Sequence, residues 1–85
     1  MKSIHHPDYV RVIKHLKQRR RELGMTQEAV ARALDLGRTT ISKIESQERR
    51  ADLRETYLLC RLYGLQFADL EPVLAGEGID HVAED

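Results

Sequence analysis

The sequence lacks the features that mark secreted and membrane proteins. Cys60 is the single cysteine among 85 residues, so no disulfide can form within the chain. Small proteins without disulfides are typical of reducing compartments. A run of roughly 20 apolar residues, the length that crosses a bilayer, is absent, and the first residues, MKSIHHPDYV, lack the apolar core of a signal peptide. We therefore expect a cytoplasmic protein with no membrane partner.

Signals for β-structure are also scarce. The chain has no Asn-Gly or Asp-Gly turn and no run in which β-branched and polar residues alternate. Apolar residues recur instead at the spacing of a helix, and in the first helical segment they are Tyr9, Val12, Ile13, Leu16 and Leu23. The pattern predicts an all-α fold, a compact domain of five short helices.

Residues that favour helix ends mark the boundaries of the first two helices. Pro7 suits a helix start, and Gly24 suits the stop of the first helix. Thr26 suits the N-cap of the second helix. The inward residues of this second helix would be Val30, Ala31 and Leu34.

The fourth and fifth helices have boundaries of the same kind. Asp52 and Glu55 have the spacing of a capping box at the start of the fourth helix. Pro72 would interrupt or restart the last helix, FADLEPVL. Cys60 is expected to be a buried small hydrophobe. The rest of the inward face of the fourth helix would consist of Leu58, Leu62 and Leu65.

The net charge of zero conceals a division along the chain. Residues 1–50 hold twelve Lys or Arg and six Asp or Glu, whereas residues 51–85 hold two and eight. The basic front half favours a polyanionic partner, and the alternative is a chance division. We divide the chain into one domain, residues 1–75, and an acidic tail, residues 76–85, which is expected to be flexible.

The second and third predicted helices have the spacing of a helix-turn-helix. Both are short, and the three residues 35–37 separate them, which places the whole unit at about residues 26–46. In the third helix Ile41 and Ile44 would face inward. The outward residues, none of which is acidic, are Arg38, Thr39, Thr40, Ser42 and Lys43.

Two blocks in this region follow a known pattern. Residues 20–31 match R-x-x-x-G-x-[ST]-Q-x-x-[LV]-A, and residues 41–45 match I-S-x-[IL]-E. With these blocks, residues 16–46 resemble the lambda-repressor-like family of helix-turn-helix proteins, also called the Cro/C1 or XRE type. The resemblance extends more weakly to Leu70. It implies the lambda-repressor-like fold and sequence-specific binding of double-stranded DNA.

The resemblance implies a set of residues that read bases. The third helix would lie in the major groove with its N-terminal residues at the base edges. There Arg and Lys favour guanine, and a threonine can contact the methyl group of thymine. The alternative is a solvated helix face. The residues in question are Arg38, Thr39, Ser42 and Lys43.

The resemblance also implies contacts with DNA phosphates. Gln27 would meet a phosphate at the start of the second helix, where free N–H groups and the helix dipole favour an anion. The alternative is an ordinary polar residue. Further phosphate contacts would come from Thr40, Arg49 and Arg50, with a solvated loop as the alternative for the two arginines.

The resemblance also implies one ion pair for the helix-turn-helix, and the sequence departs from the family pattern at two positions. The resemblance implies that Arg20 and Glu45 form a partly buried pair that fixes the third helix against the first. Asp35 stands where the family usually has a glycine in the left-handed conformation, and Gly37 stands where a Ser or Thr usually caps the third helix. A turn shifted by one residue would change which side chains face the bases.

The end of the domain is more apolar than the end of a monomer needs to be. In the family that the chain resembles, this region commonly forms a symmetric dimer. Here we expect a homodimer, and the alternative is that the same residues close the core. The centre of the contact would be Leu70, Val73 and Leu74.

The sequence thus predicts a DNA-binding transcription regulator, bacterial or phage-encoded, and it favours the repressor of a palindromic operator. An antitoxin that represses its own operon and binds a toxin partner fits the same features. A protein-interaction module that has lost DNA binding is a further alternative, because the total charge is zero. The chain shows no catalytic arrangement, no set of metal ligands and no cofactor motif, so we expect neither an enzyme nor a bound metal or cofactor.

Overall fold

Residues 6–76, the part of the chain that the computed structural model describes, fold into helices without any strand. A 3-10 turn at Phe67–Leu70 leads directly into the last helix. The helices are α1 (Pro7–Glu22), α2 (Gln27–Leu34), α3 (Arg38–Glu45), α4 (Leu53–Leu62) and α5 (Glu71–Ala75). The prediction of an all-α fold with five helices is confirmed.

Side chains cap the helices at the predicted positions. Pro7 is the first residue of α1. At the start of α2, the hydroxyl of Thr26 accepts a hydrogen bond from the amide of Ala29 over 3.0 Å. Before α4, the Asp52 carboxylate accepts from the Glu55 amide at 2.7 Å, and the Glu55 carboxylate accepts from the Asp52 amide at 3.0 Å. These bonds satisfy amides that have no partner within the first helical turn.

The last helix restarts one residue before Pro72. Because α5 begins at Glu71, Pro72 lies in the first turn, where its missing N–H breaks no helical hydrogen bond. This helix packs against α1. The guanidinium of Arg11 donates to the carbonyls of Val73 and Leu74 at 2.9 and 2.6 Å, and it thereby satisfies the C-terminal end of α5.

The buried core is formed by side chains from α1, α2, α3, α4 and the 3-10 turn. Leu23, which was predicted to lie on the apolar stripe of α1, is 43% exposed. The helix ends at Glu22, and Arg20 is the last inward side chain of α1 instead. The buried apolar side chains, each at most 5% exposed, are Val12, Ile13, Leu16, Val30, Ala31, Ile41, Ile44, Leu59, Cys60, Tyr63 and Leu70.

Two of the leucines predicted for the inward face of α4, Leu62 and Leu65, pack partly buried against the core, and the third, Leu58, is half-buried. The side chains that α4 and its C-cap bury fully were not all predicted, and they are Leu59, Cys60 and Tyr63. The helix is oriented so that Glu55, in its first turn, points inward to Arg49. Leu59 lies one turn later on the same face. Cys60 is buried as predicted, and burial raises the pKa of its thiol.

The predicted acidic tail lies outside the described residues except for Gly76. This glycine ends α5 with a φ of 78°, in the left-handed conformation that glycine adopts without strain. Within residues 6–76, no helix combines the length and the apolar character that a membrane span requires.

Candidate nucleic-acid interface

The turn between α2 and α3 sets the register of α3. Asp35 adopts the left-handed conformation, with φ 56° and ψ 44°. The amide of Leu36 then donates to the carbonyl of Ala31 at 2.8 Å, which closes the end of α2. Gly37 is the N-cap of α3, and as a glycine it has no side chain that could make a capping bond. Because α3 begins at Arg38, the turn occupies the predicted residues 35–37.

The face of α3 that points away from the core carries no acidic side chain. Ile41 and Ile44, at 1% and 2% exposure, fix the opposite face in the core. The single acid of α3, Glu45, turns inward, and its side chain is only 7% exposed. The predicted base-reading side chains are all accessible, with Arg38, Thr39 and Lys43 exposed and Ser42 half-buried. This surface therefore offers hydrogen-bond donors and positive charge to a ligand.

Glu45 connects α3 to α1 and α2 by accepting three hydrogen bonds, two of them from the guanidinium of Arg20. Its carboxylate accepts from Arg20 Nε at 2.7 Å and from Arg20 Nη2 at 3.0 Å. It also accepts from Gln27 Nε2 at 2.9 Å. The remaining amino group of Arg20 donates to the carbonyl of Met25 at 2.7 Å, in the connection between α1 and α2.

This network fixes the relative position of the segments that would meet DNA. The Arg20 side chain is 11% exposed, and the hydrogen bond to Glu45 raises its pKa above the ordinary value. Gln27, predicted to bind a phosphate, is held at the first turn of α2 by the same carboxylate. Because an amide nitrogen carries two hydrogens, the bond to Glu45 is compatible with a second one to a phosphate.

The connection between α3 and α4 places the two predicted phosphate-binding arginines differently. Arg49 forms a two-pronged ion pair with Glu55, at 2.9 Å for Nη1–Oε1 and 2.8 Å for Nη2–Oε2. This pair lowers the pKa of Glu55. Arg50 is exposed, and its guanidinium lies 6.0 Å from the centre of the Tyr9 ring. The remaining phosphate candidate, Thr40, lies half-buried in the first turn of α3.

The predicted dimer residues do not form one exposed patch. Leu70 is 5% exposed and belongs to the core of this chain, so it is unavailable as the centre of a contact between subunits. Val73 is partly buried against the core, whereas Leu74 is 44% exposed. An apolar groove adjoins Leu74, and its other lining residues are Tyr9, Val12, Ala51, Leu53, Thr56, Phe67 and Leu70.

Three contacts of this surface were missed by the sequence reasoning. Glu55 was identified only as a capping residue, and its pairing with Arg49 crosses a loop that has no periodic pattern. The bond from Gln27 to Glu45 spans 18 positions. The hydroxyl of Tyr9 accepts from the amide of Ala51 at 2.8 Å across 42 positions. The charged residues of this loop could have pointed to the pair of Arg49 and Glu55, whereas no local signal in the sequence indicates the other two contacts.

The histidines are not gathered into a metal site in the described part of the chain. No three side chains of His, Cys, Asp or Glu between residues 6 and 76 lie close enough together to hold a metal ion. His6 instead caps α1 beside Asp8, with 2.8 Å between Nδ1 and the carboxylate. His5 and His81 lie outside the described residues.

The geometry defines a class of protein, a small helical domain whose α2 and α3 form a helix-turn-helix. A profile of the helix-turn-helix family HTH_3, the Cro/C1 and XRE-like type, matches residues 16–70. The chain belongs to this family. Membership supports a DNA-binding transcription regulator in general terms. No curated protein and no solved structure matches the chain significantly.

Proposed function

We propose that the chain recognises a specific DNA sequence through α3 and represses transcription from a palindromic operator. The observation that carries this proposal is the accessible, acid-free face of α3, at the register that the turn imposes. A protein that covers an operator blocks access of other proteins to the same DNA. Repression therefore requires no activity beyond binding to the operator.

Base recognition is assigned to four side chains of α3. Arg38, at the first position of the helix, is suited to a two-pronged hydrogen bond with the O6 and N7 atoms of a guanine. Lys43 also favours guanine, and Thr39 offers a methyl group to thymine and a hydroxyl to either acceptor. Ser42 lies between them on the inner side of the face and suits a short contact.

Phosphate binding is assigned to residues at the ends of the α2 and α3 segments. Gln27 lies at the N-terminus of α2, where the helix dipole favours an anion. Thr40 is in the first turn of α3, and Arg50 follows α3 in the connection to α4. A contact by Arg49 would have to form in addition to its pair with Glu55.

Dimerisation would supply the second half of the recognition surface. One recognition helix reads only a few base pairs, whereas two helices related by a two-fold axis read an inverted repeat. Exposed apolar residues beside the groove are the surface that this proposal uses. They are Leu53, Tyr57, Phe67 and Leu74.

A competing function is a protein-interaction module without DNA binding, and the same exposed apolar surface favours it. A gel-shift titration with the DNA upstream of the chain's own gene separates the two. We expect binding that resists competitor DNA and weakens steeply with salt, by about 0.9 logarithmic units of affinity per unit of log salt for each phosphate contact.

A matched pair of variants completes this experiment. Arg38→Ala removes an exposed arginine from α3, and Arg61→Ala removes an exposed arginine from α4. We expect the first to reduce the preference over competitor DNA and the second to retain it in full. Equal effects of both variants, or binding that ignores sequence in the parent chain, would contradict recognition by α3.

A further inference from the structure

Glu55 is a buried charged residue outside the network of Arg20, Gln27 and Glu45. It is 7% exposed and lies in the first turn of α4. Besides capping α4, its carboxylate holds Arg49 by two hydrogen bonds of 2.8 and 2.9 Å. Burial of a carboxylate costs free energy unless charged partners bind it with good geometry. The loop conformation that brings Arg49 to Glu55 is therefore favoured over conformations that leave Glu55 without this partner.

Hydrogen bonds hold the backbone of the loop around Arg50. Before it, the Arg49 amide donates to the Lys43 carbonyl at 3.2 Å. After it, both polar groups of the peptide unit that joins Arg50 to Ala51 are bound: Arg49 Nη1, which also binds Glu55, donates to the carbonyl at 3.1 Å, and the amide donates to the hydroxyl of Tyr9 at 2.8 Å. The Arg50 guanidinium lies over the ring of the same Tyr9, and the Arg50 side chain is exposed.

We propose that Glu55 is a positioning residue for DNA binding, which acts through Arg49 to direct Arg50 to a phosphate beside the major groove. This inference rests on the proposed function and extends it. It assigns different roles to two adjacent arginines, since Arg49 holds the loop and Arg50 makes the contact. A loop fixed in advance loses less conformational entropy on binding than a flexible one.

The sign of one substitution distinguishes this role from direct phosphate binding by Arg49. Glu55→Gln removes a negative charge and releases Arg49. If Arg49 bound a phosphate itself, both changes would strengthen binding to a polyanion. If Glu55 positions Arg50, the same substitution weakens binding, because the loop loses its attachment.

The experiment measures affinity against salt concentration for the duplex that the parent chain selects from a random pool. We expect Arg50→Ala to weaken binding about tenfold per subunit and to reduce the salt slope by about 0.9 per subunit. Glu55→Gln should approach the same loss of affinity and slope. In the Arg50→Ala background, Glu55→Gln should reduce the slope no further.

Two more variants keep the test independent of folding. Arg49→Lys keeps the charge but cannot bind both carboxylate oxygens side by side, so it should reproduce the loss seen for Glu55→Gln. Glu48→Gln removes an exposed acid from the same loop, whose contact is a 2.9 Å bond from the Ser46 hydroxyl, and it should leave affinity equal or higher. Circular dichroism confirms that each variant is helical.

The outcomes separate this inference from the function on which it rests. A parent chain that selects no sequence and binds without salt dependence would overturn both. A parent chain that binds normally, with Glu55→Gln and Arg49→Lys retaining its slope, would overturn the positioning role alone. Tighter binding by Glu55→Gln would assign the phosphate contact to Arg49.

Discussion

Glu45 shows how one side chain can serve both stability and binding geometry. Its carboxylate connects the end of α1, the start of α2 and the end of α3. The side chains of Arg20 and Glu45 are only 11% and 7% exposed. If one of the two is removed, the charge of the other therefore stays buried with little access to water. The helices that would meet DNA are thus held together by a charged contact beside the apolar core.

Removing one member of this pair should destabilise the fold strongly. We expect Arg20→Met to lower the free energy of unfolding by about 3–5 kcal/mol, because the Glu45 carboxylate remains buried without its main partner. Urea denaturation at neutral pH measures this value. The double variant Arg20→Met, Glu45→Leu should lose less than the single one. A single variant within about 1 kcal/mol of the parent would contradict a buried, coupled pair.

The second pair should show itself in the pH dependence of stability. The hydrogen bonds from Arg49 lower the pKa of Glu55 below its ordinary value of 4.5. A carboxyl group whose pKa is lower in the folded state stabilises the fold above its unfolded pKa. We expect the parent to be more stable than Glu55→Gln at neutral pH. This advantage should disappear as the pH falls below 4.5 and through the lowered folded value.

Paired denaturation curves from neutral pH into acid measure this difference. The two proteins differ only at residue 55, so the difference between their curves reports on this carboxyl group. An advantage of the parent that stayed constant into strong acid would show that the ionisation of Glu55 is not its source.

The turn between α2 and α3 holds one of the two non-glycine residues with positive φ in the described part of the chain, the other being Gln47. Asp35 holds a φ of 56°, a conformation that costs a residue with a Cβ about 1 kcal/mol or more. Aspartate tolerates it better than most residues because its side chain bonds locally. The sequence departs from glycine here, and the turn nevertheless keeps its length of three residues.

Asp35→Gly should therefore stabilise the fold. We expect a gain of about 0.5–1 kcal/mol in the free energy of unfolding, since glycine adopts positive φ without strain. Asp35→Ala provides the contrast, because alanine has neither this freedom nor a side chain that bonds locally, and it should destabilise. Thermal and urea denaturation of the three proteins give the order. Alanine more stable than glycine at this position would refute the left-handed turn.

Elements with local signals were predictable from the sequence. Thr26 caps α2 and the pair of Asp52 and Glu55 caps α4, because capping depends on residues three positions apart. The turn at Asp35 was predicted from the short separation of two helices and from the family pattern, which covers this part of the chain. The positions of all five helices follow from such local rules together with apolar periodicity.

Contacts between distant segments were not predictable in the same way. Leu70 and Leu74 are four positions apart, yet the first is buried and the second exposed, because Leu70 ends the 3-10 turn whereas Leu74 lies in α5. The apolar pattern of α4 contained several leucines, and only packing decided that Leu59 and Tyr63 would be buried. The sequence also did not show that α4 is oriented with Glu55 towards Arg49. Arg49 was therefore predicted to bind a DNA phosphate without account of this ion pair.

Over the whole molecule, most of the apolar groove lies on α1, α4, the 3-10 turn and α5, and it adjoins the face proposed for DNA at Tyr9 and Ala51, beside Arg50. The exposed face of α3 and its flanking connections carry Arg38, Lys43 and Arg50, whereas the 3-10 turn and α5 carry Asp69 and Glu71. If this acidic end of the domain binds a second copy of the chain, its negative charges lie away from the DNA phosphates. A dimer can therefore approach DNA with its basic surfaces although the total charge of the chain is zero.

The groove beside α5 gives the prediction for assembly. Leu74→Asp places a charge on an apolar surface that is 44% exposed, so we expect a monomer that remains folded. Leu23→Asp is the matched control, a leucine with 43% exposure at the end of α1, and it should remain dimeric. Light scattering over a concentration series measures both masses. A parent chain that stays monomeric at high concentration, free and on selected DNA, would rule out the dimer.

Selection from a random pool of DNA duplexes tests the central claim, specific recognition by α3, most directly. The account predicts that the parent chain enriches an inverted repeat whose half-sites are about 34 Å apart, one helical turn of DNA. Arg38→Ala should relax the preference at one position of each half-site, at a cost of roughly 1–3 kcal/mol, whereas Gln27→Ala should weaken binding to all sequences alike. A pool without enrichment, or an identical preference after Arg38→Ala, would contradict it.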